Sequence, residues 1–371
     1  MLLSVSMAMG QGTSLYITAY NYYNEGQYLK AKESIDKALK YSDAQESAKA
    51  WMIKGDIYSR LVYSQEVNSS GLSKSEVAIA AVEAYSKATE LDTRRVDEKQ
   101  LLASLERSAN TAFGQGVSDY NDRNYGTSLK CFKATLAGKN IIGDVDTLAL
   151  YNTALCYENL NQYASAIAIY RKCIDLGYQS LNCYSSGIYQ YRLMGNDAAA
   201  MDFVNEGLSA HPNSYELLAS KVNLLLAADR SSEALPYVNQ MLGMEPGSAV
   251  LHYSRGTIYS GMGEAEKAIV DFKKACELRP DYFDATYNLG AEYFNQGADA
   301  VNEAALLSDE TAYKAKQAEA LGYFKEAEIH LERALELDST HITVMQSLSE
   351  VYLRLDKIEE YKAMKARINE L

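Results

Sequence analysis

The side chains able to do chemistry are few and widely spaced in this sequence. Its four histidines are His211, His252, His330 and His341, and none shares a hydrolase-like motif with a cysteine or serine. A catalytic site needs several groups brought together, and no such constellation is visible. The metal spacings CxxC and HExxH and the phosphate loops GxxxxGKS, GxxxxGKT and GxGxxG are absent. We therefore expect no enzymatic activity, no metal and no cofactor.

The five cysteines also lack a chemical pattern. Each lies within a helical pattern, where a cysteine usually packs as a small buried hydrophobe. Cys173 and Cys183 are ten residues apart on neighbouring predicted helices. A disulfide between them is the alternative if the compartment is oxidising. The full set is Cys131, Cys156, Cys173, Cys183 and Cys276.

Composition and charge narrow the class of partner. The 371 residues are 47% hydrophobic and 23% charged, which is typical of a folded chain with room for a large core or several small ones. The formal net charge is −13, whereas a nucleic-acid binder usually shows a basic face. An anionic lipid surface also repels such a chain. The sequence contains no run of 18 apolar residues of the kind that spans a membrane. We expect a protein partner, with no nucleic acid and no membrane insertion.

The first residues raise the question of compartment. The stretch MLLSVSMAMGQG resembles the apolar core of a secretory signal followed by small residues, although it lacks a positively charged start. We interpret residues 1–11 as an apolar leader, a possible signal-peptide remnant. Export to the periplasm or cell envelope is the expectation, and a cytoplasmic protein with a helical or disordered leader is the alternative.

A 34-residue interval recurs along the chain. Pro280 is preceded at this interval by Pro246 and then Pro212. Self-similarity at a fixed period is typical of repeat architectures. The same interval relates further residues: Ala268 to Ala234 and Ala200, Gly256 to Gly290, and Tyr259 to Tyr293.

The chain resembles the tetratricopeptide repeat family, because glycine, tyrosine, alanine, an aromatic and proline recur at this interval, and we expect a bacterial member of that family. Residues 249–282 match best, and the likeness covers residues 12–371. The resemblance implies an all-α fold, a right-handed α-solenoid of about nine helix-turn-helix repeats. The repeats begin near Gly12, Ala48, Ala109, Thr147, Leu181, Tyr215, Ala249, Phe283 and Ile342.

The repeats differ in regularity along the chain. We predict irregular repeats over 12–146, regular repeats over 147–282, an extended repeat over 283–341 and a C-terminal cap over 342–371. Within a repeat, Gly256 allows two helix backbones to approach closely, and Gly263 supplies the turn between them. Stacked repeats bury together the apolar face that one helix pair cannot bury alone.

Two insertions interrupt the 34-residue interval. Relative to residues 249–282, the first adds 14 residues between Tyr58 and Ala81, and the second adds 25 between Gly290 and Ala327. We predict two lengthened helix pairs, with about twelve extra residues extending a helix by about 18 Å. These arms are either tolerated loop growth or a second contact surface, for dimerisation or for holding a partner.

Helix-start signals lie inside both insertions. Ser73 and Glu76 have the spacing of a capping box, in which each side chain bonds the backbone of the other. Ser308 is the predicted N-cap of the second helix in the extended repeat.

In the family that this chain resembles, the first helices of successive repeats line a concave groove that holds peptides. The residues carried onto groove-facing positions are mainly tyrosines and asparagines, which suit contact with an extended peptide. For any one tyrosine, packing between helices is the alternative. The predicted groove residues are Tyr16, Tyr20, Tyr23, Asn24, Phe113, Tyr120, Asn121, Tyr151, Asn159, Tyr189, Arg192, Asn223, Tyr253, Tyr287, Phe294 and Asn295.

Two functions follow from this interpretation. The first is a non-enzymatic interaction scaffold that binds peptide segments or partner proteins in the groove. The alternative is a structural subunit or assembly factor of a bacterial envelope-associated complex, which contacts its partners, or a second copy of itself, through the inserted helical arms. The basic set with which some relatives clamp a C-terminal carboxylate is not found at the predicted groove positions.

Overall fold

The computed structural model describes residues 10–92 and 98–370, in two compact units that divide between Phe203 and Val204. Of the predicted leader, residues 1–9 lie outside the described part. Every regular element over the described ranges is helical, and none of them is a strand. This confirms the all-α prediction.

The first unit contains ten complete helices and the start of an eleventh. The division between units falls inside α11. In chain order the helices are α1 (Gln11–Asn24), α2 (Tyr28–Ala38), α3 (Ser42–Gln45), α4 (Ala48–Leu61), α5 (Lys74–Leu91), α6 (Glu98–Asn121), α7 (Tyr125–Ile141), α8 (Thr147–Asn159), α9 (Tyr163–Asp175), α10 (Ser180–Leu193) and α11 (Asp197–Ala210).

The second unit continues the alternation of first and second helices. Its elements are α12 (Tyr215–Ala227), α13 (Ser231–Met244), α14 (Ala249–Gly261), α15 (Ala265–Leu278), α16 (Phe283–Ala304), α17 (Glu310–Leu337), α18 (Ile342–Arg354) and α19 (Ile358–Asn369). With the short α3 set aside, the described helices form nine consecutive pairs, from α1/α2 to α18/α19. The predicted number of about nine repeats is therefore confirmed.

In several of the pairs, a glycine on the first helix lies against a large side chain on the second. A Cβ added at Gly256 of α14 would lie 2.7 Å from the Phe272 ring of α15, so only glycine fits. Gly55 faces the Tyr85 ring at the same distance. Gly263 turns the chain between α14 and α15 with φ +75°, as its predicted turn role requires. The ring contact recurs at Gly116, Gly187 and Gly297.

Hydroxyl groups replace alanine at two buried positions of α7. Ser128 donates to the Gly116 carbonyl of α6 at 2.8 Å, and Thr135 donates to the Ala109 carbonyl at 3.2 Å. Each buried hydroxyl thus finds an acceptor on the facing helix, which removes the cost of burying it. Ser128 and Thr135, which stand where other repeats have alanine, therefore preserve the close contact between α6 and α7.

The first insertion differs from the prediction. Most of its extra residues form a connection with a 3-10 helix over Gln65–Ser69, and they do not lengthen both helices of the pair. Val67 of this segment is buried in the core, and Glu66 accepts the Leu29 N–H at the start of α2 at 2.6 Å. The capping box of Ser73 and Glu76 is confirmed at the start of α5.

The second insertion does lengthen a helix pair. Helices α16 and α17 have 22 and 28 residues, against 13 and 14 in α14 and α15, so the growth is larger in the second helix. The N-cap of α17 is Asp309 and not the predicted Ser308, because the Asp309 carboxylate accepts the Ala312 N–H at 2.8 Å. Ala300 and Ala320 are buried between the two long helices beside Phe324.

All five cysteines are free thiols, and four of them are buried. Cys173 and Cys183 lie in one buried cluster with Tyr170. They occupy the positions of small hydrophobes, as the first interpretation of the cysteines expects.

Candidate functional site

The predicted groove residues all reach the protein surface to some extent. Eight are exposed: Tyr20, Asn24, Asn121, Asn159, Tyr189, Arg192, Asn223 and Asn295. The other eight are half-buried: Tyr16, Tyr23, Phe113, Tyr120, Tyr151, Tyr253, Tyr287 and Phe294.

The half-buried aromatic residues also have a structural role. Ring centroids lie 5.4 Å apart for Phe113 and Phe132, and 5.6 Å apart for Phe294 and Phe324. In each case a first-helix ring packs on a ring of its own second helix. Such pairs stabilise a helix pair by about 1 kcal/mol beyond the area they bury. These residues therefore contribute to the fold as well as to the surface.

One predicted groove amide is already engaged within the protein. Asn159 donates from its side-chain nitrogen to the Tyr120 hydroxyl at 3.1 Å and to the Leu155 carbonyl at 2.9 Å. The first contact links α6 to α8. A peptide would have to compete with these bonds for the amide nitrogen.

A polar pocket of about 530 Å³ opens between helices α1, α4 and α6 in the first unit. Its volume lies in the range of ligand pockets in proteins. We define the polar pocket by the side chains that the argument uses: Tyr23, Asp56, Ser59, Arg60, Arg107 and Ser108, with Tyr63 at its edge.

Hydroxyl groups join the walls of the polar pocket. The Ser59 and Ser108 hydroxyls lie 2.9 Å apart, and the Tyr63 hydroxyl lies 3.0 Å from that of Thr111. Both contacts connect the α4 region to α6, whose start extends upstream of the third repeat. These hydrogen bonds fix the spacing of the two walls.

A partly buried carboxylate lies at the base of the polar pocket. Asp56 accepts a hydrogen bond from the Tyr85 hydroxyl at 2.6 Å. Burial raises the pKa of Asp56 above its ordinary value of 3.8, and the Tyr85 hydrogen bond and the charges of Arg107 and Arg60 act against that increase. Burial and the neighbouring carboxylate in turn raise the pKa of Tyr85, so this phenol remains a donor.

Two exposed arginines flank this carboxylate. Arg107 donates to the Ser104 hydroxyl at 2.8 Å, and the neighbouring Tyr23 raises the pKa of Arg60. Over residues 10–92 and 98–370, neither guanidinium forms an ion pair with a carboxylate, whereas Arg230, Arg255 and Arg333 do. The polar pocket therefore offers two charged donor groups with capacity to spare.

Sequence reasoning found only Tyr23 among the residues of the polar pocket. A step of 36 residues, the spacing between the first two repeats, carries Tyr20, Tyr23 and Asn24 onto Asp56, Ser59 and Arg60. That step was available in the sequence and would have found the α4 wall. Arg107 precedes the start of the third repeat, so repeat spacing alone does not indicate it.

The second unit contains an arginine with a different environment. Asp271 of α15 is 2% exposed, and Arg255 of α14 binds it through two hydrogen bonds, of 2.7 and 2.8 Å. His252 approaches the same carboxylate at 2.9 Å through Nδ1. This is an internal ion cluster whose donor groups are occupied.

Two apolar surfaces lie outside the predicted groove. In the first unit, a depression of about 820 Å³ between α5 and α7 is lined by Ile79, Val82 and Ala134 among others. In the second unit, Leu306 and Leu307 join α16 to α17 and are 85% and 42% exposed. Among the residues that the structure describes, no helix combines the length and the apolar character needed to cross a membrane.

Comparison with protein families gives two matches within the chain. A model described as a TPR repeat matches residues 256–297, and a model described as a tetratricopeptide repeat matches residues 148–176. The first lies over α14 to α16 and the second over α8 and α9. Both fall where sequence analysis places regular or extended repeats.

Similar proteins are known from distant organisms. Protein FlbA of Caulobacter vibrioides is 26% identical over 232 residues, which cover 60% of this chain and 36% of FlbA. Anaphase-promoting complex subunit 3 of Schizosaccharomyces pombe is 19% identical over 253 residues, which cover 67% of this chain and 33% of the subunit. The chain thus spans about a third of the length of these relatives.

Among solved structures, the crystal structure of YrrB, described as a TPR protein with an unusual peptide-binding site, is similar. It is 20% identical, with a TM-score of 0.41, and the match covers 54% of this chain and 91% of YrrB.

Proposed function

Because this chain belongs to the tetratricopeptide repeat proteins, whose helix pairs act as protein interaction scaffolds, we propose that it binds extended peptide segments of partner proteins. The binding surface in this proposal is the first-helix face of the first unit. It includes the polar pocket and the exposed groove residues beside it.

The observation that carries this proposal is the polar pocket itself. It is concave, its walls come from three first helices, and it combines tyrosine rings with hydroxyl, amide and guanidinium groups. A small number of well-placed polar groups in a depression fixes the orientation of a bound ligand. Tyr20 stacks on Tyr23 at 6.3 Å and extends the aromatic surface beyond the pocket. Exposed tyrosine offers large contact area and loses little rotamer freedom on binding.

The test uses the full chain and a displayed library of random dodecapeptides. Enriched sequences are synthesised with a fluorescent label, acetylated at the N-terminus and amidated at the C-terminus, and binding is measured by fluorescence anisotropy. We expect enrichment, and we expect the double variant Tyr20→Ala/Tyr63→Ala to bind at least about tenfold more weakly, because exposed rings at a contact surface carry much of its energy.

Tyr313→Ala is the matched control, because Tyr313 is a similarly exposed tyrosine of the second unit, on α17. It should bind peptides as the unchanged protein does. The absence of any enriched peptide, or equal binding by the groove double variant, would contradict the proposal.

A second function is favoured by the connection between α16 and α17. Leu306 is 85% exposed and Leu307 is 42% exposed, so two adjacent leucines give the end of the long helix pair an apolar tip. The corresponding proposal is a structural subunit of a bacterial envelope-associated complex, exported to that compartment, which contacts its partners through this arm.

The arm proposal has its own test. Leu306→Glu/Leu307→Glu should abolish any self-association that light scattering detects in the unchanged protein, while peptide binding in the first unit continues. An unchanged protein that is monomeric at high concentration would exclude self-assembly through the arm.

A further inference from the structure

We propose that the polar pocket selects partner segments that carry an acidic side chain, an aspartate or glutamate placed between Arg60 and Arg107. This inference rests on the proposed function, because it presupposes that a peptide segment enters the pocket. It names the chemistry that would recognise the partner.

The guanidinium groups of Arg60 and Arg107 are exposed and lack an ion-pair partner among the described residues. A guanidinium presents five N–H groups in a planar fork that matches a carboxylate. Arg107 uses one nitrogen on Ser104, and Arg60 lines the pocket beside Tyr23. Both side chains keep other N–H groups for a ligand. Charge-assisted hydrogen bonds of this kind are about twice as strong as neutral ones.

The charges that line the pocket favour a singly charged anion. Two arginines and the Asp56 carboxylate leave one net positive charge. A single carboxylate on the ligand would neutralise it, whereas a doubly charged group would meet repulsion from Asp56. The pocket therefore favours one acidic side chain over a more highly charged anion.

The positive charge of the pocket contrasts with the charge of the chain as a whole. The whole chain has a formal net charge of −13, so its general surface repels acidic peptides. A local positive site on an acidic protein allows an acidic segment to bind only where the arginines lie. The position of the acidic residue in the peptide then sets the register in which the peptide binds. The Ser59 and Ser108 hydroxyls line the same pocket as the arginines.

The experiment compares selections from the same dodecapeptide library. One selection uses the unchanged protein and the other uses the double variant Arg60→Gln/Arg107→Gln. We expect aspartate or glutamate at one recurrent position with the unchanged protein, and loss of that preference with the variant. Arg123→Gln is the matched control, since Arg123 is an exposed arginine of the same unit outside the pocket.

Binding of one selected peptide then completes a double-mutant cycle. Replacing its acidic residue by the amide should weaken binding to the unchanged protein about tenfold and should have little further effect on the arginine variant. Binding of the acidic peptide should also weaken as the salt concentration rises from about 0.05 to about 0.5 M, because the Debye length falls from about 14 to about 4 Å over this range. Circular dichroism melting of each variant verifies that the fold is intact.

The outcomes separate the two proposals. Failure of any peptide to be enriched overturns the proposed function. Enrichment of neutral or basic peptides, or an acid preference that survives in the arginine variant, overturns only the present inference. A preference that appears only when the peptide has a free C-terminus also overturns it, because the recognised group would then be the terminal carboxylate.

Discussion

The polar pocket of the first unit and the ion cluster of the second unit place arginines in opposite situations. Two guanidinium nitrogens of Arg255 donate hydrogen bonds to the carboxylate of Asp271, which is almost completely buried. Arg107 donates to Ser104, Arg60 lines the polar pocket beside Tyr23, and the carboxylate of that pocket, Asp56, accepts a hydrogen bond from Tyr85. An arginine with an internal carboxylate stabilises the fold, whereas an arginine held only by neutral groups remains available to a ligand.

The largest effect should come from removing the carboxylate of the closed cluster. Asp271→Ala removes the carboxylate that Arg255 and His252 share. Because Arg255 is 25% exposed and still donates to Asn239, we expect a cost of about 3 kcal/mol, the lower end for a broken buried ion pair. Urea unfolding followed by circular dichroism measures the loss, and hydrogen exchange over α14 and α15 locates it. Asp271→Asn keeps an acceptor and should lose less. A loss below about 1 kcal/mol for the alanine variant would show that the cluster is not a stabilising element.

The next effect compares two glycines of equivalent position. Gly55→Ala and Gly256→Ala each place a methyl group 2.7 Å from a ring, and overpacking of this kind costs about 1–3 kcal/mol. We expect similar destabilisation in thermal melts. Only Gly55→Ala should also weaken peptide binding, because the displaced ring is Tyr85, which holds Asp56. Equal peptide affinity of the two variants would separate Tyr85 from the function of the pocket.

A smaller effect is expected from neutralising the carboxylate of the polar pocket. Asp56→Asn keeps an acceptor for the Tyr85 hydroxyl and removes the negative charge that competes with an acidic ligand. The affinity for an acidic peptide should rise about fivefold, as for one charge at moderate distance in a partly solvated site. Affinity for a neutral peptide is the control and should not change. A fall in affinity for the acidic peptide would assign Asp56 to ligand binding.

The same variant should change how stability depends on pH. Because burial raises the pKa of Asp56, the folded protein binds this proton more tightly than the unfolded chain does. The associated stabilisation is complete below pH 3.8 and is lost as the pH rises through the higher folded-state pKa. Asp56→Asn should remove that loss, so the variant gains stability relative to the unchanged protein as pH increases above 3.8. Parallel stability curves for the two proteins would contradict this expectation.

The smallest effect concerns the stability of the arginine variant. Arg60→Gln/Arg107→Gln removes two exposed charges that form no ion pair within residues 10–92 and 98–370, so the free energy of unfolding should change by less than about 1 kcal/mol. Urea unfolding measures the difference, with Asp271→Ala as the contrasting variant. A large loss would place these arginines with Arg255 as structural residues.

The fold was predictable because close helix contact dictates residue type. Where a ring packs tightly onto the facing helix, a small residue is needed there: glycine at Gly256 against Phe272, and alanine at Ala154 in the cluster of Tyr170. The connection around Val67 was not predictable in this way. A short 3-10 segment has no apolar period, and its position depends on tertiary contacts of Val67 and Glu66.

The candidate site was predictable only in part. Tyr23 follows from the repeat frame, and Arg60 would have followed from extending that frame by one irregular step. Arg107 depends on the upstream start of α6, which repeat spacing does not contain. Asn159 lies at a position that the repeat spacing predicts to face the groove. Its side-chain amide, however, donates to the Tyr120 hydroxyl, a contact that only the three-dimensional arrangement reveals.

The contact between a first-helix glycine and a second-helix ring limits how such proteins can be recombined. Gly256 accepts Phe272, whereas Gly290 faces Leu331, so each first helix has a recess shaped for its own partner. Chimeric arrays assembled from this chain should tolerate the exchange of whole helix pairs. Grafting one helix without its mate would leave either a void or a collision, so the hairpin is the smallest portable module that this sequence offers to protein engineering.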